Sequence, residues 1–138
     1  MIEIVNRQRM RKMNAKQWRE FGEAALKTIG RDHESATIVF VADRAIKELN
    51  RRFRGKNYVT DVLSFPHEAA PFEVAHLGDV VISVPRATAQ AKDAGLSFTA
   101  EVKQLILHGL LHLCGYDHET DKGQMNRLEL RLRRRLGI

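Results

Sequence analysis

One cysteine, three prolines and no long apolar run narrow what this chain can be before any motif is read. With Cys114 alone, no internal disulfide can form, and one cysteine beside six histidines suits a reducing compartment. A chain of 138 residues does not need such a staple, because a domain of this size buries roughly 68% of the surface its unfolded form exposes. The longest apolar stretch, Leu105 to Cys114, contains two histidines and is too short and too polar to span a bilayer. The segment MIEIVNRQRMRK lacks an apolar core, so no secretory signal is expected. Repeats, low-complexity tracts and a dividing linker are also lacking. The expectation is a cytoplasmic, non-membrane protein with one domain over residues 1–138.

Charge is present and uneven. The formal net charge is +6, with +7 over residues 1–60, −3 over 61–100 and +2 over 101–138. The positive charge gathers in three clusters: Arg7/Arg9/Arg11/Lys12, Arg51/Arg52/Arg54/Lys56 and Arg131/Arg133/Arg134/Arg135. Such clusters draw in a polyanion, although a basic solvated surface produces the same composition.

Periodicity predicts nine elements. IEIV (2–5) is a short strand. Asn14 caps a helix to about Ile29 that is ended by Gly30. TIVFV (37–41) is a buried strand, and Asp43 caps a short helix to about Phe53. VTDVLSF (59–65) is a strand closed by Pro66, and GDVVISV (78–84) is the next. Pro85 opens a helix that stops at Gly95, and Ser97 or Thr99 caps the one after it. A last amphipathic helix starts near Asp121, with Met125, Leu128, Leu132 and Leu136 inward. The class is therefore α+β, one small mixed sheet of about four strands packed with about five helices.

The chemistry concentrates in HGLLHLCGYDH, residues 108–118. His108 and His112 are four apart, so a helix sets both imidazoles on one face. Gly115 can take the left-handed conformation that stops the helix and returns His118 toward the pair. Three imidazoles with one open position make a zincin-like catalytic metal site, and imidazole also suits nickel or copper. A single histidine on such a face is more often a core residue; the pair, the glycine and the third histidine together are far more specific. Cys114 falls on the far side of the helix and is expected to pack as a small hydrophobe. His33, His67 and His76 stand alone and are read as surface residues, although His67 and His76 flank a loop able to approach the site. Asp117 or Glu119 can orient a ligand histidine, or simply cap the last helix.

A zinc protease of HExxH type places a glutamate base directly after the first histidine, and this chain has Gly109 there. The lack of that carboxylate weighs against peptide hydrolysis. Zinc together with arginine suits phosphodiester cleavage, which depends on electrostatic stabilisation of the transition state.

HGLLHLCGYDH is very similar to the signature of the YbeY family of bacterial rRNA maturation endoribonucleases. LNRRFRGKNYVTDVLSFP (49–66) and LGDVVIS (77–83) resemble two further blocks of that family, in the same order. The resemblance implies a single-strand-specific, zinc-dependent endoribonuclease with one Zn2+ per chain. Its implied task is maturation of the 3′ end of small-subunit rRNA, with a part in ribosome quality control. The implied metal ligands are His108, His112 and His118, and the implied catalytic residues are Arg54 and His112. Implied partners are single-stranded RNA, the small-subunit rRNA precursor and the ribosome, together with a ribosomal protein and an assembly GTPase. Phe53 stands where the family has tyrosine, and Val59 where it has proline; Thr60, Asp61, Ser64 and Pro66 match. Arg54, just before Gly55, can hold a scissile phosphate or complement a helix C-terminus. Asp61 and Asp79 can add polar contacts near the sheet edge. Two other readings compete: a zinc metallopeptidase or other zinc hydrolase, and a non-catalytic RNA-binding module braced by zinc.

Overall fold

The computed structural model describes residues 1–67, 76–117 and 119–138. Nine elements follow the expected order: β1 (Ile2–Asn6), α1 (Ala15–Ile29), β2 (Ser35–Val41), α2 (Asp43–Arg54), β3 (Val62–Pro66), β4 (His76–Ser83), α3 (Val84–Ala94), α4 (Phe98–Leu113) and α5 (Gln124–Leu136). The strands form one mixed sheet in the order β1-β2-β4-β3. β1, β2 and β4 run parallel, as helical crossovers require, and edge strand β3 returns antiparallel to β4. The class is α+β, with the expected strand and helix numbers.

Alternation along the strands divides the core between the two faces of the sheet. Ile38, Phe40, Val80 and Ile82 point to the larger face, where Trp18 and Leu26 of α1, Ala87 of α3, Leu110 of α4 and Leu132 of α5 cover them. Val41, Leu63 and Val81 point the other way and meet Ile46 of α2.

Helix boundaries follow cap chemistry. Asn14, Ser83 and Ser97 each accept a backbone N–H from the first turn of α1, α3 and α4. Several expected boundaries shift. Asp43 is the first helical residue of α2 and Ala42 the cap; the Asp43 carboxylate instead accepts Ser83 Oγ–H at 2.6 Å, joining α2 to the end of β4. Residues 59–61 stay outside β3 because Asp61 Oδ1 accepts the backbone N–H of Val62 and the Thr60 hydroxyl, forming a turn there. Pro66 is the last residue of β3, tolerated because the strand lies at the edge. α5 begins at Gln124, since Asp121 Oδ1 and Oδ2 accept the N–H groups of Gly123 and Met125 in a preceding turn. No helix among the described residues is long and apolar enough to cross a membrane.

Candidate active site

The C-terminal end of α4, edge strand β3 and the segment after α2 enclose a groove of about 600 Å³. His108 and His112 line it, together with Arg54, Lys56, Tyr58, Asp61, Tyr116, Asp117 and Glu119. The order of the sheet explains this convergence. β3 is an edge strand, so one of its flanks is free, and α4 packs beside it through the Ser64 hydroxyl, which donates to Gly109 O at 3.2 Å.

The histidine pair is set by α4 and held from α5. The rings are 4.7 Å apart at 75°, and the two Nε2 atoms approach to 3.2 Å. A tetrahedral ion with Zn–N bonds of about 2.0–2.1 Å places two nitrogens roughly 3.3–3.4 Å apart, so the observed spacing fits a shared metal. His108 Nδ1 lies 2.9 Å from Glu129 Oε1. A carboxylate only accepts, so Nδ1 carries a hydrogen and Nε2 is the ring nitrogen turned toward His112. Glu129 is 6% exposed. Burial pushes its carboxyl pKa up, but the hydrogen bond to His108 and the nearby His108, Arg133 and His112 outweigh that and hold it below the ordinary value. Arg133, one turn along α5, stands 3.8 Å from the same carboxylate oxygen.

Gly115, at φ +97°, makes the expected turn after α4, with its N–H on His112 O at 3.0 Å. His118, the third expected ligand, lies outside the described residues, as does the loop between His67 and His76. Asp117 and Glu119 line the groove, and Asp117 Oδ1 accepts the N–H of Glu119 at 2.9 Å.

Arg54 is the last residue of α2, and its Nη2 donates to Ser64 O at 2.7 Å, which pins the guanidinium to the groove wall. The helix-end role and the groove role therefore coexist. Cys114 packs against the larger core, and burial raises its thiol pKa. Asp79 and His76 sit together elsewhere, 3.8 Å apart, with His76 Nδ1 at 2.8 Å from Ser35 Oγ; neither lines the groove.

Gly109 has a packing reason. A Cβ there would lie 2.5 Å from Val80 Cγ1 and 2.9 Å from Cγ2, so any side chain at this position forces Val80 or α4 to shift. The position at which a protease carries its base faces the sheet here.

A family model described as endoribonuclease YbeY matches residues 3–137, nearly the whole chain. This chain belongs to the YbeY endoribonuclease family. Among similar YbeY proteins, endoribonuclease YbeY of Persephonella marina is 44% identical over 106 residues, covering 75% of this chain and 69% of the relative. That of Nautilia profundicola is 48% identical over 101 residues, covering 73% and 71%. A protein of Thermotoga maritima solved in solution superposes with a TM-score of 0.67 at 25% identity, covering 99% of this chain and 89% of its own. The two positions at which the sequence resemblance marks a departure from the family, Phe53 and Val59, are both accommodated. Phe53 sets its ring edge-on to Phe65 at 5.4 Å, and Val59 packs on the smaller core beside α2.

Two features of the site were not legible in the sequence. Glu129 reaches His108 across 21 residues, and its i+4 spacing to Arg133 is the sole local hint. Asn50, 2% exposed, donates to Tyr58 O at 3.0 Å and so ties the groove wall to α2.

Proposed function

We propose that this chain is a zinc-dependent endoribonuclease that cuts single-stranded RNA, with small-subunit rRNA precursor as its substrate and maturation of the 3′ end as its task. The observation that carries the reading is the convergence of two imidazole Nε2 atoms at 3.2 Å in the same groove as Arg54. Family membership supports the coarse activity. Zinc would be held by His108, His112 and His118, one ion per chain. It would supply Lewis acidity toward a phosphoryl oxygen and lower the pKa of water to about 7. The chain's own residues do the rest. Glu129 keeps His108 in one tautomer. Arg54, anchored on Ser64 O, presents a fork suited to bidentate contact with a phosphate. Peptide hydrolysis fits less well, because position 109 is closed against Val80. Action in the cytoplasm on the ribosome, participation in ribosome quality control, and contact with a ribosomal protein and an assembly GTPase extend the same proposal.

The test is cleavage of a small-subunit rRNA precursor by wild-type, His112→Ala and Arg54→Ala proteins purified side by side. Arg54→Ala is expected to lose about 10²–10³-fold in rate, as when one preorganised charge-stabilising donor is removed, and His112→Ala at least as much. Undiminished cleavage by a chelator-stripped protein overturns the zinc dependence, and undiminished cleavage by His112→Ala overturns the site.

A further inference from the structure

The chain has two tyrosines, and both line the groove. Tyr58 is 53% exposed and Tyr116 38%, whereas Trp18, Phe21 and Phe40 are buried in the core and Phe53, though 59% exposed, packs edge-on against Phe65. Neither tyrosine ring packs on another aromatic ring among the described residues. Exposing two large aromatic faces on one concave surface has a cost in apolar area, so a ligand that covers them is the economical explanation.

Both rings are carried on fixed backbone. Buried Asn50 donates to Tyr58 O, and its own carbonyl accepts the N–H of Lys56, so α2 holds the 56–58 segment at two points. Tyr116 follows the Gly115 turn, and its N–H donates to Leu111 O at 3.2 Å. Arg54 and Lys56, at and just after the end of α2, stand in the same groove, whose lining also carries Asp61, Asp117 and Glu119. Aromatic faces interleaved with cations suit unpaired nucleotides, in which bases stack on rings while phosphates meet positive charge.

We propose that Tyr58 and Tyr116 are base-stacking platforms, and that through them the groove selects single-stranded over duplex RNA. A duplex hides its base faces, so it cannot use these rings. The inference rests on the nuclease reading for its substrate, but its test reads binding as well as cleavage.

The experiment compares the wild-type full chain with Tyr58→Ala, Tyr116→Ala and the two phenylalanine variants. Fluorescence anisotropy is recorded with three probes of equal length: single-stranded DNA, the same backbone without bases, and a duplex. KM and kcat are measured on single-stranded RNA. Each alanine variant is expected to weaken single-strand binding and raise KM by roughly 5- to 100-fold, with kcat changed much less. Phenylalanine restores both, and binding of the abasic and duplex probes stays at the wild-type level. The proposal fails for either tyrosine whose alanine variant keeps wild-type single-strand affinity, or whose loss is equal with the abasic probe. Wild-type protein that binds strands through the tyrosines yet cuts no RNA overturns the nuclease reading and leaves the platforms standing.

Discussion

At the scale of single residues, a carboxylate decides how a histidine is used. His108 can offer Nε2 to the groove because Glu129, 2.9 Å away on α5, takes its Nδ1 hydrogen. Partners of this kind behind a metal-binding histidine typically change metal affinity by about 10- to 100-fold. Glu129→Gln keeps the shape and can still accept from Nδ1 but removes the charge, so zinc affinity measured by chelator competition is expected to fall by about 10-fold. Unchanged affinity would show that the carboxylate merely fills space. Gly109 offers the opposite test, of a residue that must have no side chain. In a free helix glycine to alanine is favourable by roughly 0.5–1 kcal/mol. Here the added Cβ meets Val80 Cγ1 at 2.5 Å, and Val80 is fully buried and stiff at χ1. Gly109→Ala is therefore expected to destabilise by roughly 1–3 kcal/mol, measured by urea unfolding.

At the scale of elements, the joint between α3, α4 and the turn before β3 is polar. The amide nitrogen of Gln90 on α3, oriented by its neighbours, donates to Glu101 Oε1 at 2.9 Å and to Asp61 Oδ2 at 3.1 Å. Glu101 is 8% exposed. Burial, reinforced by the charge of Asp61 and opposed by Arg133, raises its carboxyl pKa above the ordinary value. A carboxyl raised on folding binds its proton more tightly in the folded state. Its contribution is thus full at acid pH and is lost as pH climbs from the ordinary carboxylate range through the raised folded value. Glu101→Gln is expected to raise the melting temperature at pH 8, with the gain shrinking toward zero as pH falls below that range; a gain equal at all pH values would point to packing instead. This joint also shows where sequence reasoning stops. The periodic runs of α1 and α4, the serine caps and the β-branched strands carry their signals within a few residues, so all nine elements were legible. The histidine pair was legible for the same reason, since i,i+4 spacing is a local property. Glu129 on His108, Asn50 on Tyr58 and Gln90 between two acids are set only when distant elements pack. Apart from the i,i+4 spacing of Glu129 and Arg133, no local pattern distinguishes those side chains from ordinary exposed polar residues.

At the scale of the whole molecule, the three basic clusters of the sequence do not act as one surface. Arg51 is paired with Glu48 at 2.6 Å on the exposed face of α2. Arg11 lies over the Phe98 ring at 3.9 Å, and Arg133 serves Glu129. Among the described residues, Arg54 and Lys56 are the lysine and arginine side chains that line the groove, together with the carboxylates Asp61, Asp117 and Glu119. The net charge of +6 therefore overstates the charge that a bound strand meets directly, and it acts more on encounter than on affinity. Salt dependence separates the two. For single strands, log K falls with log salt by about 0.7 for each phosphate neutralised. Two groove cations set about −1.4 as the steepest slope for a short strand, since the Asp61, Asp117 and Glu119 carboxylates of the same lining can only reduce it, and Arg54→Ala is expected to flatten it by up to about 0.7. Replacement of Arg131 or Arg134 on α5 should slow association at low salt and leave the slope for a short strand unchanged. Binding isotherms of a short single-stranded oligonucleotide across a salt series measure both. A slope several-fold steeper than −1.4, or one that Arg131→Ala flattens as much as Arg54→Ala does, would mean that the strand leaves the groove and runs over the basic face of α5.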